Sequence, residues 1–212
     1  MSKYDALVET AGPVSRETFE RLCNFEESFK RWASKINLVA PSTLPTLWER
    51  HICDSAQLLP LAPTARKWVD IGSGGGFPGA VLAVLLRERD GAHIDLVESN
   101  RKKTSFLAVT LAGLQAPATV HSVRIEDSYD RVETPDIVTA RALAPLPLLL
   151  ELAEPWLTSG AKALFHKGRD YEREVEQSSI DWRYDLVKHS ASKWGDGVIL
   201  EISNLQRLAS DR

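Results

Sequence analysis

Apolar residues recur at three- and four-residue steps through Phe19, Leu22, Phe25, Phe29, Trp32 and Ile36. That period predicts an amphipathic helix with a wide apolar stripe, a packing face for something larger. Pro13 and Ser15 precede it, and Ser15 is placed to cap it. Asn37-Leu38-Val39-Ala40-Pro41 reads as a turn. A second helix is expected from Leu44 through Leu59, with Leu47, Trp48, His51, Ile52, Ser55 and Leu58 on one face, until Pro60 and Pro63 interrupt the chain. From Lys67 onward the pattern changes. Short apolar runs at 67–71, 93–98, 118–123, 136–140 and 161–167 alternate with helical stretches near 78–88, 101–113 and 146–157. Alternation of this kind predicts a mostly parallel sheet covered on both faces. Two further runs, 182–188 and 197–202, have no full helix between them and read as a β-hairpin closing the sheet. The expectation is therefore α/β with seven strands, the last antiparallel. Residues 1–64 would form an N-terminal helical extension packed on a domain spanning 65–212.

The first strand runs into Asp70-Ile71-Gly72-Ser73-Gly74-Gly75-Gly76-Phe77-Pro78-Gly79, and a helical pattern leaves it. Glycine admits positive φ and lets a ligand approach the backbone closely. In an open α/β sheet the carboxyl end of a strand is where nucleotide-like cofactors bind. Gly74-x-Gly76-x-x-Gly79 fits the dinucleotide fingerprint, which alone is weak evidence. Two details disfavour a pyrophosphate. Asp70 at the strand tip would repel it, and Pro78 has no N–H to offer at the helix start. S-adenosylmethionine, with a sulfonium, an ammonium and no phosphate, suits the loop better. Glu98 ends the second strand, where a carboxylate can accept hydrogen bonds from both hydroxyls of a ribose.

Composition narrows the class. At 212 residues the chain suits a single globular unit with a sizeable core. No apolar run reaches membrane-spanning length, and the N-terminus lacks a signal-peptide pattern, so a cytoplasmic protein without membrane contact is expected. Cys23 and Cys53 make neither a disulfide framework nor a metal site, and no metal is expected. A net charge of −3 argues against a protein that coats nucleic acid generally, and leaves room for a local basic face. A monomer is expected.

Several motifs together resemble the RsmG (GidB) family of bacterial methyltransferases, which modify a guanine N7 in small-subunit rRNA. They are Asn37-Leu38, Arg50-His51-x-x-Asp54-Ser55, the glycine loop, Glu98-Ser99-x-x-Lys102-Lys103-x-x-Phe106-Leu107, Arg124-x-Glu126, Ala140-Arg141-Ala142-Leu143-Ala144 and Lys167-Gly168. They cover residues 30–170 in order and spacing. The resemblance implies a class I S-adenosylmethionine-dependent methyltransferase, Rossmann-like, acting on 16S rRNA of the 30S subunit. It implies that Gly72, Gly74, Gly76 and Phe77 meet the cofactor and that Glu98 holds its ribose. Ile125 and Glu126 would flank the adenine. Arg141 would lie close to both cofactor and guanine, as the catalytic residue, with Lys167 near the mouth of the site.

The residues agree with that chemistry. The loop after the fourth strand, Ala140-Arg141-Ala142-Leu143-Ala144-Pro145, lacks the Asp/Asn-Pro-Pro-aromatic pattern of amine methylation. Both cysteines precede the sheet, so no nucleophile serves a pyrimidine C5. Guanine N7 already carries an in-plane lone pair and needs no base. Arg141 can offer a donor fork to guanine O6, to a phosphate or to the methionine carboxylate, or can pair with a carboxylate such as Glu126. Candidate RNA contacts are Lys30, Arg31 and Lys35, then Arg101, Lys102 and Lys103, then His166, Lys167 and Arg169. Of these, Lys102, Lys103, Lys167 and Arg169 are the expected set. His51 and Asp54, one helical turn apart, are expected to bond each other and lock the N-terminal helices onto the sheet. Rival readings are a methyltransferase for another substrate, an NAD-dependent oxidoreductase, and a non-catalytic S-adenosylmethionine-binding assembly factor. The oxidoreductase is disfavoured because no convincing Tyr-x-x-x-Lys pair is present.

Overall fold

A computed structural model describes residues 1–190 and 197–209. Among them, seven strands form one sheet: β1 (Lys67–Ile71), β2 (His93–Val97), β3 (Ala118–His121), β4 (Ile137–Arg141), β5 (Lys162–Lys167), β6 (Trp182–Ser190) and β7 (Val198–Arg207). Their order is β3-β2-β1-β4-β5-β7-β6. β1 to β5 run parallel, and β7 pairs antiparallel with both β5 and β6. The expected hairpin is present, with its second strand inserted between β5 and its first. β1 lies between β2 and β4, so the strand order reverses there. Neighbouring connections leave on opposite faces at such a point and open a crevice at the carboxyl ends of β1 and β4.

The helices are α1 (Lys3–Ala11), α2 (Arg16–Ala33), α3 (Asp54–Ala56), α4 (Gly79–Leu85), α5 (Arg101–Gly113), α6 (Leu146–Leu157) and α7 (Tyr171–Ser178). Ser15 caps α2 by accepting from Thr18 N at 3.1 Å. α2 stops at Ala33, so Ile36 reaches the core from the following turn. Two helices escaped the hydrophobic pattern. α1 is short and buries only Ala6, Leu7 and Ala11, its start fixed by a reciprocal Ser2–Asp5 capping box. α7, Tyr-Glu-Arg-Glu-Val-Glu-Gln-Ser, fully buries only Ser178 and so looks like a polar linker.

The single helix expected over 44–59 is instead three pieces. A 3₁₀ turn, Pro41–Thr46, leads into a π-helical turn, Trp48–Cys53, and then α3. Pro45 lies inside the 3₁₀ piece and has no N–H to give Pro41 O, so this stretch does not extend the helix as an α ladder toward its N-terminus. π-helical turns of this kind are frequent at functional sites.

The N-terminal helices and one face of the sheet share one apolar cluster. Its centre is aromatic. Phe25 and Phe29 of α2 approach Phe77 of the glycine loop with ring centroids 5.7 and 5.1 Å apart. Both also meet Phe106 of α5, at 6.4 and 5.8 Å. The other face packs α6 through Leu146, Leu149, Leu150, Ala153 and Trp156. No helix of the described residues is long and apolar enough to cross a membrane.

Phe29 is fully buried and touches the loop as well as α5. Phe29→Ala is expected to cost about 3–5 kcal/mol in urea unfolding, because the cavity it leaves is ringed by side chains from three elements and cannot collapse.

Candidate active site

β1 delivers the loop to the carboxyl edge of the sheet. Gly72, Gly74 and Gly76 have φ of +67°, +55° and +93°. A Cβ on Gly76 would lie 2.7 Å from Ala80 Cβ and 2.9 Å from Leu107 Cδ2, so this glycine serves packing beneath the loop. A Cβ on Gly74 would meet nothing nearer than Gly72 O at 3.7 Å. Gly74 is therefore where the loop backbone stands open to the space in front of it.

Asp70 does not face that space. It is fully buried, and its carboxylate accepts from Gly79 N at 3.1 Å and from Thr139 Oγ1 at 2.9 Å. The expected repulsion of a pyrophosphate by Asp70 is thus corrected: the carboxylate lies under the loop and takes the N-terminal donor of α4 for itself. Burial pushes the Asp70 carboxyl up to about 6, against the pull of its hydrogen bonds.

In front of the loop lies a cavity of about 530 Å³. It is lined by Gly72, Gly74 and Phe77 of the loop, by Glu98 and Lys103, by Ile125 and Glu126, and by Arg141. Glu98 holds two backbones at once, accepting from Gly74 N at 2.9 Å through Oε2 and from Asn100 N at 2.7 Å through Oε1. Each oxygen retains a lone pair for a further donor. The roof was missed in the sequence. Leu38, Val39, Ala40 and Thr43 line the cavity from the N-terminal segment, and Leu143 and Leu152 line it too. The apolar run 38–40 beside a turn was the available signal.

Arg141 ends β4. Its Nη1 donates to Asp54 Oδ2 at 2.9 Å and to Arg50 O at 3.3 Å, and its Nη2 donates to His51 Nδ1. The partner carboxylate is Asp54 and not Glu126. The expected His51–Asp54 bond is also replaced, since Arg141 stands between the two and bonds each. His51 stacks on Phe77 with centroids 4.9 Å apart and planes 27° apart. Burial, then the adjacent Arg141, push its pKa down to about 4, so it is neutral. His166, near the end of β5 and with its side chain 9% exposed, donates from Nε2 to Asp54 O at 3.0 Å. The N-terminal segment is thereby tied to the tips of β4 and β5.

The other expected residues scatter. Gly76 lies below the cavity. Lys102 is exposed on α5 and Arg169 is exposed between β5 and α7, and neither lines the cavity. Lys167 is withdrawn from it. Its ammonium pairs with Glu174 at 2.5 Å and donates to Ala144 O at 2.9 Å, with the side chain only 8% exposed. Glu174 also accepts from Leu146 N at 2.6 Å, so Lys167 ties α7 to the start of α6. Among the described residues no cluster of His, Cys, Asp or Glu could hold a metal ion.

The sequence profile of the GidB family, described as rRNA small subunit methyltransferase G, matches residues 18–199. The chain belongs to this family. A protein of Chelativorans sp. (strain BNC1) named ribosomal RNA small subunit methyltransferase G is 60% identical over 206 residues, covering 97% of this chain and 98% of its own. A protein of the same name from Brucella canis is 57% identical over 205 residues, covering 97% and 96%. Among solved structures, a putative O-methyltransferase from Klebsiella pneumoniae superposes with a TM-score of 0.55 at 16% identity, covering 94% of this chain and 95% of that one. A mutant of MtNAS in complex with S-adenosylmethionine gives 0.59 at 15% identity, covering 89% and 72%. These structural likenesses show the fold of this GidB-family chain: the α/β, class I methyltransferase fold.

Asp70→Asn tests the buried carboxyl. An amide can accept from Gly79 N and donate to Thr139, whose own hydrogen turns to Val69 O at 3.3 Å. With a folded pKa near 6 and an ordinary value of 3.8, the wild-type chain loses stability as pH rises between these values. The variant does not. Its advantage in urea unfolding is expected to be small at pH 4 and to grow by up to about 3 kcal/mol by pH 7.

Proposed function

We propose that this protein transfers the methyl group of S-adenosylmethionine to N7 of a guanosine in 16S rRNA of the small ribosomal subunit. The observation that carries this reading is the composition of the cavity wall. An open glycine, a ribose-type carboxylate and an arginine meet there, and among the described residues no free imidazole and no thiol joins them. His51 is the one imidazole in the wall; its Nδ1 is taken by Arg141 and its Nε2 is buried. No cysteine lines the cavity, and burial pushes the Cys53 thiol up to about 12. Amine and carbon methylation need a group to remove a proton or add to the ring. Guanine N7 needs neither.

The residues fit the cofactor. Gly72, Gly74 and Phe77 would bear on it from the loop, Glu98 would accept from the ribose hydroxyls, and Ile125 and Glu126 would flank the adenine. Arg141 would lie at the reacting end. Bound there, S-adenosylmethionine supplies an electrophilic methyl on a sulfonium. The chain contributes proximity and alignment, which can remove much of the barrier. The walls exclude water from one side, and Arg141 brings a planar donor group to where guanine O6 or a carboxylate would sit.

For RNA, the cations that remain available lie around the opening. Lys103 and Arg124 line the cavity, and Arg101 and Lys102 begin α5 beside it. None of the four has a carboxylate partner among the described residues. Lys102 and Lys103 keep their proposed role, and Arg124 joins them. Few cations on a chain of net charge −3 suit one folded site on a ribosomal particle better than any RNA strand. The cytoplasm is the matching compartment.

Labelled S-adenosylmethionine with 16S rRNA, and with 30S subunits from cells lacking the modification, tests the reading. One 7-methylguanosine per 16S molecule is expected after nuclease digestion; another methylated nucleoside, or none, overturns it. Gly74→Asp is expected to keep the fold, since aspartate tolerates positive φ and the site is open, while cofactor binding measured by calorimetry disappears. Its carboxylate would enter the cavity beside Glu98.

A further inference from the structure

Arginine carries five N–H donors in one plane. In Arg141 both hydrogens on Nη1 go to Asp54 Oδ2 and Arg50 O, and one on Nη2 goes to His51 Nδ1. The Nε hydrogen and the second Nη2 hydrogen have no partner among the described residues. These two lie along one edge of the guanidinium. Nε is not among the buried polar atoms left without a partner, and Arg141 lines the cavity, so this edge borders open space. Three contacts thus turn the closed edge of the guanidinium toward the N-terminal segment and leave the other edge for a ligand.

From this geometry we infer that Asp54 and His51 are positioning residues, which hold Arg141 so that its Nε–Nη2 edge meets the carboxylate at the amino-acid end of the cofactor. The inference rests on the reading of the cavity as the S-adenosylmethionine site. Two parallel donors match two oxygens of a carboxylate. The O6–N7 pair of guanine would match them as well, but a hydrogen bond to N7 would occupy the lone pair that must attack.

Asp54 is suited to the task because it is itself held. Its Oδ1 accepts from Gln57 Nε2 at 2.8 Å, and its backbone oxygen accepts from His166. Its side chain is 13% exposed, so the pair with Arg141 is screened little by solvent. His51 sets the second angle. Arginine can only donate, so Nδ1 is the acceptor and the imidazole is the neutral Nε2–H tautomer. The Phe77 ring beneath it fixes its plane. Acting together, the two contacts allow the guanidinium neither rotation in its plane nor retreat toward β5.

The test compares S-adenosylmethionine with decarboxylated S-adenosylmethionine, by calorimetry on the full chain. Asp54→Asn keeps the size and one acceptor oxygen while removing the charge. His51→Phe keeps the stack on Phe77 and removes the acceptor together with an Nε2–H that has no partner among the described residues, which leaves a usable variant where Asp54→Asn fails to fold. Each is expected to weaken S-adenosylmethionine about tenfold and to leave the decarboxylated analogue within twofold of its wild-type affinity. In an Arg141→Gln background, adding Asp54→Asn is expected to change nothing further. Equal losses for both ligands would assign the two residues to the scaffold alone and overturn the inference, as would wild-type affinity in both variants. A folded wild-type chain that does not bind S-adenosylmethionine would instead overturn the reading of the cavity.

Discussion

The carboxylate of Asp70 is the point on which the site is built. One side chain, fully buried at the end of β1, accepts from the first amide of α4 and from Thr139 on β4. It therefore fixes where the glycine loop ends, how α4 leaves it, and how β1 and β4 sit beside each other at their tips. The helix N-terminus carries partial positive charge, which favours a carboxylate there. The cost is desolvation, visible in a pKa raised to about 6. A phosphate-binding loop would leave that helix terminus free for its ligand. Here the protein occupies it, and the loop leaves Gly74 open to the cavity instead.

A second constraint joins the N-terminal segment to the sheet. Phe25 and Phe29 pack beneath Phe77, while Asp54, His51 and Arg50 O hold Arg141 from above. The loop is thus gripped from both sides by residues that precede it in sequence. A buried ion pair seldom adds net stability over an apolar contact, because both charges lose water. The Arg141–Asp54 pair is better understood as fixing geometry. Removing either partner alone strands the other charge, so a variant such as Arg141→Ala is coupled to stability. The earlier half of the chain is in this sense part of the cavity: Leu38, Val39, Ala40 and Thr43 close it, and the π-helical turn carries two of the residues that aim the arginine.

The basic residues divide by their surroundings. Lys167 and Lys30 are each tied to a glutamate, although both look available in the sequence. Lys103 and Arg124 stand in the cavity wall without a carboxylate. A string of letters gives the charge of a side chain. Whether that charge is spent on a neighbour depends on which helix lies across from it, as α7 lies across from Lys167.

The alternation of short apolar runs with helical stretches determined the sheet, because burial on both faces demands continuous apolar strands and amphipathic covers. The glycine spacing determined where the chain turns at the end of β1, and the carboxylate at the second strand end placed Glu98 beside it. Those are local properties, set by backbone sterics and period. α1 and α7 bury too little to show in such a pattern, and the break near Pro45 could not tell a 3₁₀ turn and a π-helical turn from one helix. Thr139, which bonds Asp70, and Asp54, which bonds Arg141, come from 69 and 87 residues away. A hydrogen bond over that separation is decided by how the elements pack, not by spacing along the chain. Hence the glycine loop, Glu98 and Arg141 were legible in the sequence as cavity candidates, while the N-terminal residues that close the cavity, the face each side chain presents and the arginine edge left open were decided only when β4, the π-helical turn and the loop came together.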